Sequence, residues 1–545
     1  MVARNLLFWG VCAAALAAFW GSVRSWSERQ PRPMVALDVN SVQATARRVD
    51  VAFQKSWDDA GLQHAEPAPE LIVARRIALG LTGTIPSVEE IRRFESWPED
   101  ARTVLWLRET LADRRSADFI AERLARAFVG VEDGPFLLYR RRRFVSWLSD
   151  ELAANRPYDR IVNQLISGNG LWTDSPATNF VTVTIPPGEE DAGPDANKLA
   201  SRVARAFLGI RLDCAECHDH PFESWEQRDF QSLAAFFGQT QQTLRGIRDT
   251  AGQYTVEDRE TGETKTIDCD VPYRPDLLPQ RGSQRSRLAA WVTHPENRAF
   301  SREAVNRAWA MLFGRPLVDP IDNLGIDGDV SPALDILATD FVAHGYDFRR
   351  LIEVIASTEV FQQDSRLPAP AADSDVAADG PTEAHETAWA VFPLTRLRPE
   401  QVVGALLQSA SLSTIDSSSH IVVRLARAIG QNEFVKRYGD TGAEEFSEQS
   451  GTIPQRLLLM NGKIVHEKTK DSLLTNAASR IAALAPDDET AVETAMLAVL
   501  TRRPDDVERA RFVERLADTS GTSRRQRLGD IYWALLNSTE FAWSH

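Results

Sequence analysis

Apolar residues return at three- and four-residue steps through most of this chain of 545 residues, the spacing that lines them along one face of an α-helix. Leu71, Ala74, Ile77, Ala78 and Leu81 make one such stripe. Others run through Phe119 to Val129, Phe144 to Leu152, Ile161 to Ile166, Leu199 to Leu208, Ala304 to Phe313, Leu334 to Phe341, Leu351 to Phe361, Val402 to Leu407, Ile421 to Ile429, Ala491 to Leu500 and Ile531 to Leu536. The pattern predicts a mainly α protein from about residue 40 onward. In three places a Leu-Thr pair is followed by Pro86, Pro399 or Pro504 and then by acidic residues. Proline suits a first helical turn because its missing N–H had no partner there, and the acids suit the positive helix end. Three independent helix starts account for the echo, with an internal repeat as the rival. A second echo, Ala356-Ser357-Thr358-Glu359 and Asn537-Ser538-Thr539-Glu540, is expected to end two helices.

Two stretches break the helical pattern. Tyr254 to Val256 and Thr264 to Val271 flank Thr261-Gly262 and read as a surface β-hairpin, while residues 367–387, rich in Ala, Pro, Asp and Gly, read as a flexible loop. The expected organisation is therefore two helical domains, at about 40–240 and 285–545, joined by a hairpin connector at 241–284. Composition agrees with packed domains: 43% of residues are hydrophobic, 26% are charged, and 62 basic against 77 acidic residues leave a formal charge of −15. This excludes a mainly disordered, collagenous or polytopic membrane protein, and the acidic balance excludes a chain that wraps nucleic acid.

Residues 6–23 carry no charge and are mostly apolar, between Arg4 and Arg24. Such a segment, within residues 1–30, is a signal peptide or a single N-terminal hydrophobic anchor helix, and it is the chain's one expected contact with a membrane. Small residues from Ala13 to Ala18 suit cleavage, whereas Trp9 and Trp20 suit an anchor's interfacial ends. Cys12 lies within it as a bland apolar residue.

The other three cysteines are Cys214, Cys217 and Cys269. Cys214-Ala215-Glu216-Cys217-His218 is the attachment pattern of c-type haem: two thiols one turn apart reach the two vinyl groups on one porphyrin edge, and the adjacent imidazole ligates iron. Random placement of the chain's cysteines and histidines would produce it ~0.0005 times, so chance is a poor explanation. Zinc is the alternative, held by Cys214, Cys217 and Cys269 with His218 or His220, and a small disulfide is a third possibility. His220 stands too close to His218 to reach the opposite face of the same iron, so a distal ligand would come from elsewhere. Met311 and Met460 are the candidates, although methionine in an apolar stripe is usually core filler.

Two further clusters stand out. Asp319, Asp322, Asn323, Asp327 and Asp329 share a turn-rich loop; they read as solvated turn residues, with calcium as the sharper reading. Arg140 to Arg143 read as a solvated helix edge or as partners for an anionic group such as haem propionates. No hydrolase, kinase or dehydrogenase signature is present, so no reaction is assigned.

At Ala206-Phe207-Leu208-Gly209-Ile210-Arg211, Cys214 to Phe222 and Trp225 the chain resembles the planctomycete cytochrome-type domain of unknown function. Leu81-Thr82-Gly83 with Pro86 and Glu89, Pro157-Tyr158-Asp159 and Pro176 to Phe180 extend that likeness upstream. Asn306 to Trp309, Phe313-Gly314-Arg315, Leu317 to Pro320, Gly345-Tyr346-Asp347, Met460-Asn461-Gly462, Arg502-Arg503-Pro504 and Ala534 to Ser538 resemble its usual partner, the planctomycete-specific C-terminal domain. The resemblance implies a large, mostly helical exported protein of periplasm or cell surface with a haem c site. It carries no established reaction: a haem at the motif would make the chain an electron-transfer protein with a redox partner, and the alternative is a non-redox cell-surface binding or scaffold role in which the motif is a metal or disulfide staple. The acidic Asp213, Glu216 and Asp219 would steer a basic partner.

Overall fold

The computed structural model describes residues 39–130, 139–186, 193–220, 224–257, 262–326, 330–368, 380–416 and 452–545. Helices of seven residues or more follow one another as α1 (Val39–Ala60), α2 (Glu70–Thr82), α3 (Val88–Ser96), α4 (Arg102–Ala112), α5 (Arg114–Val129), α6 (Arg141–Ala153), α7 (Tyr158–Ser167), α8 (Ala196–Val203), α9 (Gln227–Ala234), α10 (Gln284–Val292) and α11 (Arg298–Phe313). They continue as α12 (Pro332–Ala343), α13 (Phe348–Ala356), α14 (Pro399–Ser409), α15 (Ile453–Asn461), α16 (Lys463–Thr469), α17 (Ala477–Leu484), α18 (Asp488–Leu500), α19 (Asp506–Leu516) and α20 (Gly521–Leu536). The mainly helical expectation holds over these residues. The expected N-terminal hydrophobic helix and the stripe from Ile421 to Ile429 lie outside the described residues. Among those described, no helix is long and apolar enough to cross a membrane.

The helix starts follow from local chemistry. Ser87 caps α3 by accepting from Glu90 N, and the Glu90 side chain accepts from Ser87 N in return. Asp505 and Glu508 repeat that reciprocal pair on α19, and Pro399 opens α14. Each Leu-Thr-Pro echo thus precedes a helix start. The second echo also falls at helix ends: α13 stops at Ala356 and α20 at Leu536. The stripe from Leu351 to Phe361 is broken at Ser357, after which Thr358 caps a separate turn, Glu359–Gln362. Of the expected flexible loop, residues 369–379 lie outside the described residues, and Glu383–Thr387 is a short helix capped by Thr382.

Among the described residues, three two-stranded antiparallel sheets accompany the helices. β3 (Thr255–Glu257) pairs with β4 (Thr264–Thr266), which is the expected hairpin, its tip at 258–261 being outside the described residues. β1 (Thr240–Thr243) and β2 (Gly246–Asp249) form a second hairpin that no alternation announced. β5 (Thr395–Arg396) pairs with β6 (Trp543–Ser544).

Apolar side chains gather in two cores. The larger takes residues from every helix from α1 to α13 and the segment through Phe392, and so draws on both sides of residues 241–284. The smaller takes Leu79, Ile85 and Val88 together with residues of α14 to α20. At the centre of the larger core α11 is buried at every residue from Ala299 to Phe313. Several of its polar groups are paired in place: Arg302 pairs with Asp335 at 2.8 Å, Arg307 with Glu303, and Asn306 exchanges two hydrogen bonds with the backbone of Val318 at 2.7 and 3.0 Å.

Candidate functional site: the exposed Cys214 to His220 turn

The turn is carried by α8. Asp195 caps that helix by accepting from Asn197 N and Lys198 N, and the helix then widens into a π-helical turn, Ala204–Leu208. Gly209 ends it in the left-handed region at φ 60°, and Ile210 N donates back to Ala204 O at 3.1 Å. Such π-turns are rare and often accompany functional sites. Ile210, Leu212 and Ala215 are buried, and they pin the following 3₁₀ turn, Asp213–Glu216, to the core. The alternation of pinned and free positions pushes Cys214 and Cys217 outward. Both are exposed, and both thiols are free.

His218 is exposed as well, and its Nδ1 lies 2.7 Å from Asp219 O. That bond favours the tautomer with hydrogen on Nδ1 and a lone pair on Nε2, the arrangement of a metal-ligating imidazole whose second nitrogen is tied to a carbonyl. The loop beyond is fixed by α9: Gln227 N donates to Asp219 Oδ1 at 2.9 Å, Gln227 Nε2 to Glu216 O at 3.2 Å, and His220 N to Trp225 O at 2.8 Å. Asn197 holds the Glu216 carboxylate at 3.0 Å and itself accepts from the Tyr254 hydroxyl at 2.7 Å. Burial first, and then the negative charges of Glu216 and Asp195, push the Tyr254 hydroxyl up, so it stays a donor. Residues 221–223 of the motif lie outside the described residues.

The alternative ligands are placed differently. Cys269 is half-buried against the larger core, and burial pushes its thiol up to about 11, which makes it a poor thiolate donor. Among the described residues no three His, Cys, Asp or Glu side chains are gathered to hold a metal ion. Met311 is core filler in α11, and Met460 is 40% exposed at the end of α15, where its carbonyl accepts from Trp533. Arg141 grips Glu122 with both terminal nitrogens, at 3.0 and 2.8 Å, and Arg140 stacks over Trp172, so half of the basic run is structural. Two small cavities, one beside Val42 and Glu353 and one beside Asn155 and Arg349, share no residue with the turn.

The acidic loop differs most from expectation. Asp319 is exposed, as a solvated turn residue would be, Asp327 and Asp329 lie outside the described residues, and Asp322 is taken up in ion pairs. Its Oδ1 accepts from Arg211 Nε at 2.8 Å and from Nη2 at 2.6 Å, and its Oδ2 lies 3.6 Å from Arg205. Arg205 also grips Asp213, the residue before Cys214, at 2.6 Å. No spacing in the sequence announces a pair separated by 111 residues. Gly209 was more legible, since glycine just after an apolar stripe is the usual left-handed helix stop.

No curated protein and no solved structure matches the chain. Two family models do match it. PSCyt2, a protein of unknown function (DUF1549), covers residues 48–242, and PSD1, a protein of unknown function (DUF1553), covers residues 284–429. In that order they pair a cytochrome-type domain with a C-terminal domain, and the chain belongs to the family built on that pair.

Proposed function

We propose that the chain is an exported electron-transfer protein that attaches haem c through Cys214 and Cys217 and ligates its iron through His218. The observation that carries this reading is the single 3₁₀ turn that exposes both thiols, unbridged, beside an imidazole whose Nδ1 is held by Asp219 O at 2.7 Å. Tetrahedral zinc needs four donors aimed at one point. Thioether attachment asks less, because the sulfurs bond to two separate vinyl carbons and only the histidine meets iron. The spread arrangement of Cys214, Cys217 and His218 suits the second demand. Once bound, haem would supply one-electron transfer at a potential set by its ligands and surroundings.

The chain's own residues do the rest. Leu212 and Ala215 fix the backbone of the turn, Asp219 orients His218, and Gln227 holds the far end of the loop. With Asp213 paired to Arg205, the exposed Glu216 and Asp219 remain as the negative edge that would steer a basic redox partner. Covalent haem attachment takes place outside the cytoplasm, so this reading assigns residues 6–23 to export.

The test is purification from a host with periplasmic haem-ligation machinery, followed by a denaturing gel and the ferrous α-band. Haem retained on the denatured chain is expected. A colourless protein with stoichiometric zinc, or with Cys214 and Cys217 joined as a disulfide, would overturn the reading in favour of a non-redox binding or scaffold protein.

A further inference from the structure

We infer that Asp322, contributed by the C-terminal family domain, is a positioning residue of the Cys214 turn, so that the site is completed only when both family domains are folded together. The inference rests on the haem reading for its functional meaning and on geometry for its substance.

The two halves of the turn are held by different parts of the chain. Residues 216–220 are tied to Asn197, Trp225 and Gln227, all within residues 48–242. The segment leading into Cys214 is instead tied to Asp322 and Leu324, within the 284–429 match. Asp213, Arg205, Asp322 and Arg211 alternate in sign along one chain of ion pairs: Asp213 to Arg205 at 2.6 Å, Arg205 to Asp322 at 3.6 Å, and Asp322 to Arg211 at 2.6 Å. Asp322 occupies the middle, between the two arginines. Beside it, Leu324 N donates to Gly209 O at 2.8 Å, and the Leu324 side chain covers the one face of Gly209 where a Cβ would stand.

The C-terminal anchor is itself rigid. Val318 is fastened by two hydrogen bonds to Asn306, in the buried run Ala299 to Phe313 of α11, so Asp322 projects from a turn rooted in the core. An isolated ion pair at the surface contributes little, because water screens it and two long side chains must be ordered. Here Asp322 is only 17% exposed, and the carboxylate serves two arginines whose own backbone lies on either side of Gly209. Removing it leaves Arg205 and Arg211 as adjacent like charges flanking the turn. The stretch before Cys214 then loses its ionic tether and keeps only the Leu324 N to Gly209 O bond, while Cys217 keeps its tethers from Asn197 and Gln227.

The experiment measures maleimide labelling of each thiol in the full-length, haem-free protein, resolved by peptide mass spectrometry, for wild type, Asp322→Asn, Asp322→Ala and Arg211→Gln. Loss of the tether should change the labelling rate of Cys214 by about threefold or more and leave Cys217 within about twofold, as expected when one local opening reaction is altered. Asp322→Glu should restore the wild-type ratio. Haem retained after ligation in the periplasm should fall in the same order. Unchanged Cys214 labelling and haem retention in both Asp322→Asn and Arg211→Gln would overturn the proposal. Arg211→Gln, at a half-exposed position, serves if an Asp322 variant fails to fold. A wild type that takes no haem but shows the labelling difference refutes the haem reading alone and supports the positioning role.

Discussion

Arg75 and Arg76 are neighbours on α2, yet they donate into different cores. Arg75 reaches Val499 O at 3.2 Å and Phe541 O at 3.3 Å in the smaller core, whereas Arg76 reaches Phe361 O at 2.9 Å and Gln363 O at 2.7 Å in the larger. Arg76 also lies 3.6 Å from the centre of the Phe392 ring. Burial pulls their pKa values down, to about 10 and about 9, against the attraction of Glu540 for Arg75 and of Asp364 for Arg76. The fork geometry of guanidinium makes this possible, since one side chain caps several carbonyls that no water can reach.

Removing Arg76 should therefore be costly even though a buried cation is removed with it. Arg76→Met leaves the carbonyls of Phe361 and Gln363 without their donor, and unfolding free energy should fall by about 2 kcal/mol or more. Arg76→Lys should rescue only part of it, because one ammonium can replace the Nη1 that serves both carbonyls but not the Nε that donates to His545 O or the planar face over Phe392. The urea unfolding midpoint measures both.

Gly209→Ala should strain the approach to the Cys214 turn. The residue sits at φ 60°, and an added Cβ would stand 2.9 Å from Leu324 Cδ1. The left-handed conformation alone costs a non-glycine residue roughly 1–2 kcal/mol, with the clash in addition. A lowered thermal midpoint is expected, together with loss of hydrogen-exchange protection between residues 204 and 217.

Mass spectrometry of the denatured chain separates the roles of the three motif residues. Wild type made with ligation machinery should carry one haem mass, and Cys214→Ser with Cys217→Ser should carry none. His218→Ala should keep the mass with an altered absorption spectrum, because the imidazole is assigned to iron and the thiols to the porphyrin edge. A His218→Ala spectrum identical to wild type would remove His218 from its role.

Asp50 provides a pH signature away from the site. It accepts from Glu359 N at 2.9 Å, and burial, partly offset by that bond and reinforced by the Glu359 carboxylate, raises its pKa from 3.8 to about 7. A raised carboxyl pKa means that the folded state holds a proton which the unfolded state has released. The folded state is thus favoured below about pH 4, and this contribution is lost as pH rises towards 7. Asp50→Asn, neutral throughout, should gain stability relative to wild type across that window, by about 1–2 kcal/mol after allowance for screening. Chemical denaturation at pH 4, 5.5 and 7.5 tests it; a constant difference would exclude Asp50 as the source.

Much was legible in the sequence because it is written within one or two turns of chain. The stripe from Leu71 to Leu81 became α2, Pro399 opened α14, and the hairpin flanking Gly262 formed where expected. The short spacing of Cys214, Cys217 and His218 identified the turn that exposes them, since burial of Leu212 and Ala215 leaves those positions no other direction. Longer-range outcomes left no such trace. The hairpin of β1 and β2 lacks alternation, and α11, the helix buried at every position after its first, reads in sequence as one amphipathic stripe among many.

What the sequence by itself determined was helical class, helix starts and the motif, all of them products of local periodicity and capping. Tertiary structure alone decided that one core draws on both sides of residues 241–284, the very segment at which the two family models part. It alone brought Asp322 to Arg211 across 111 residues. The physical reason is that core membership and ion pairing depend on which surfaces exclude water together, and distant partners in that exclusion carry no spacing a linear pattern can hold.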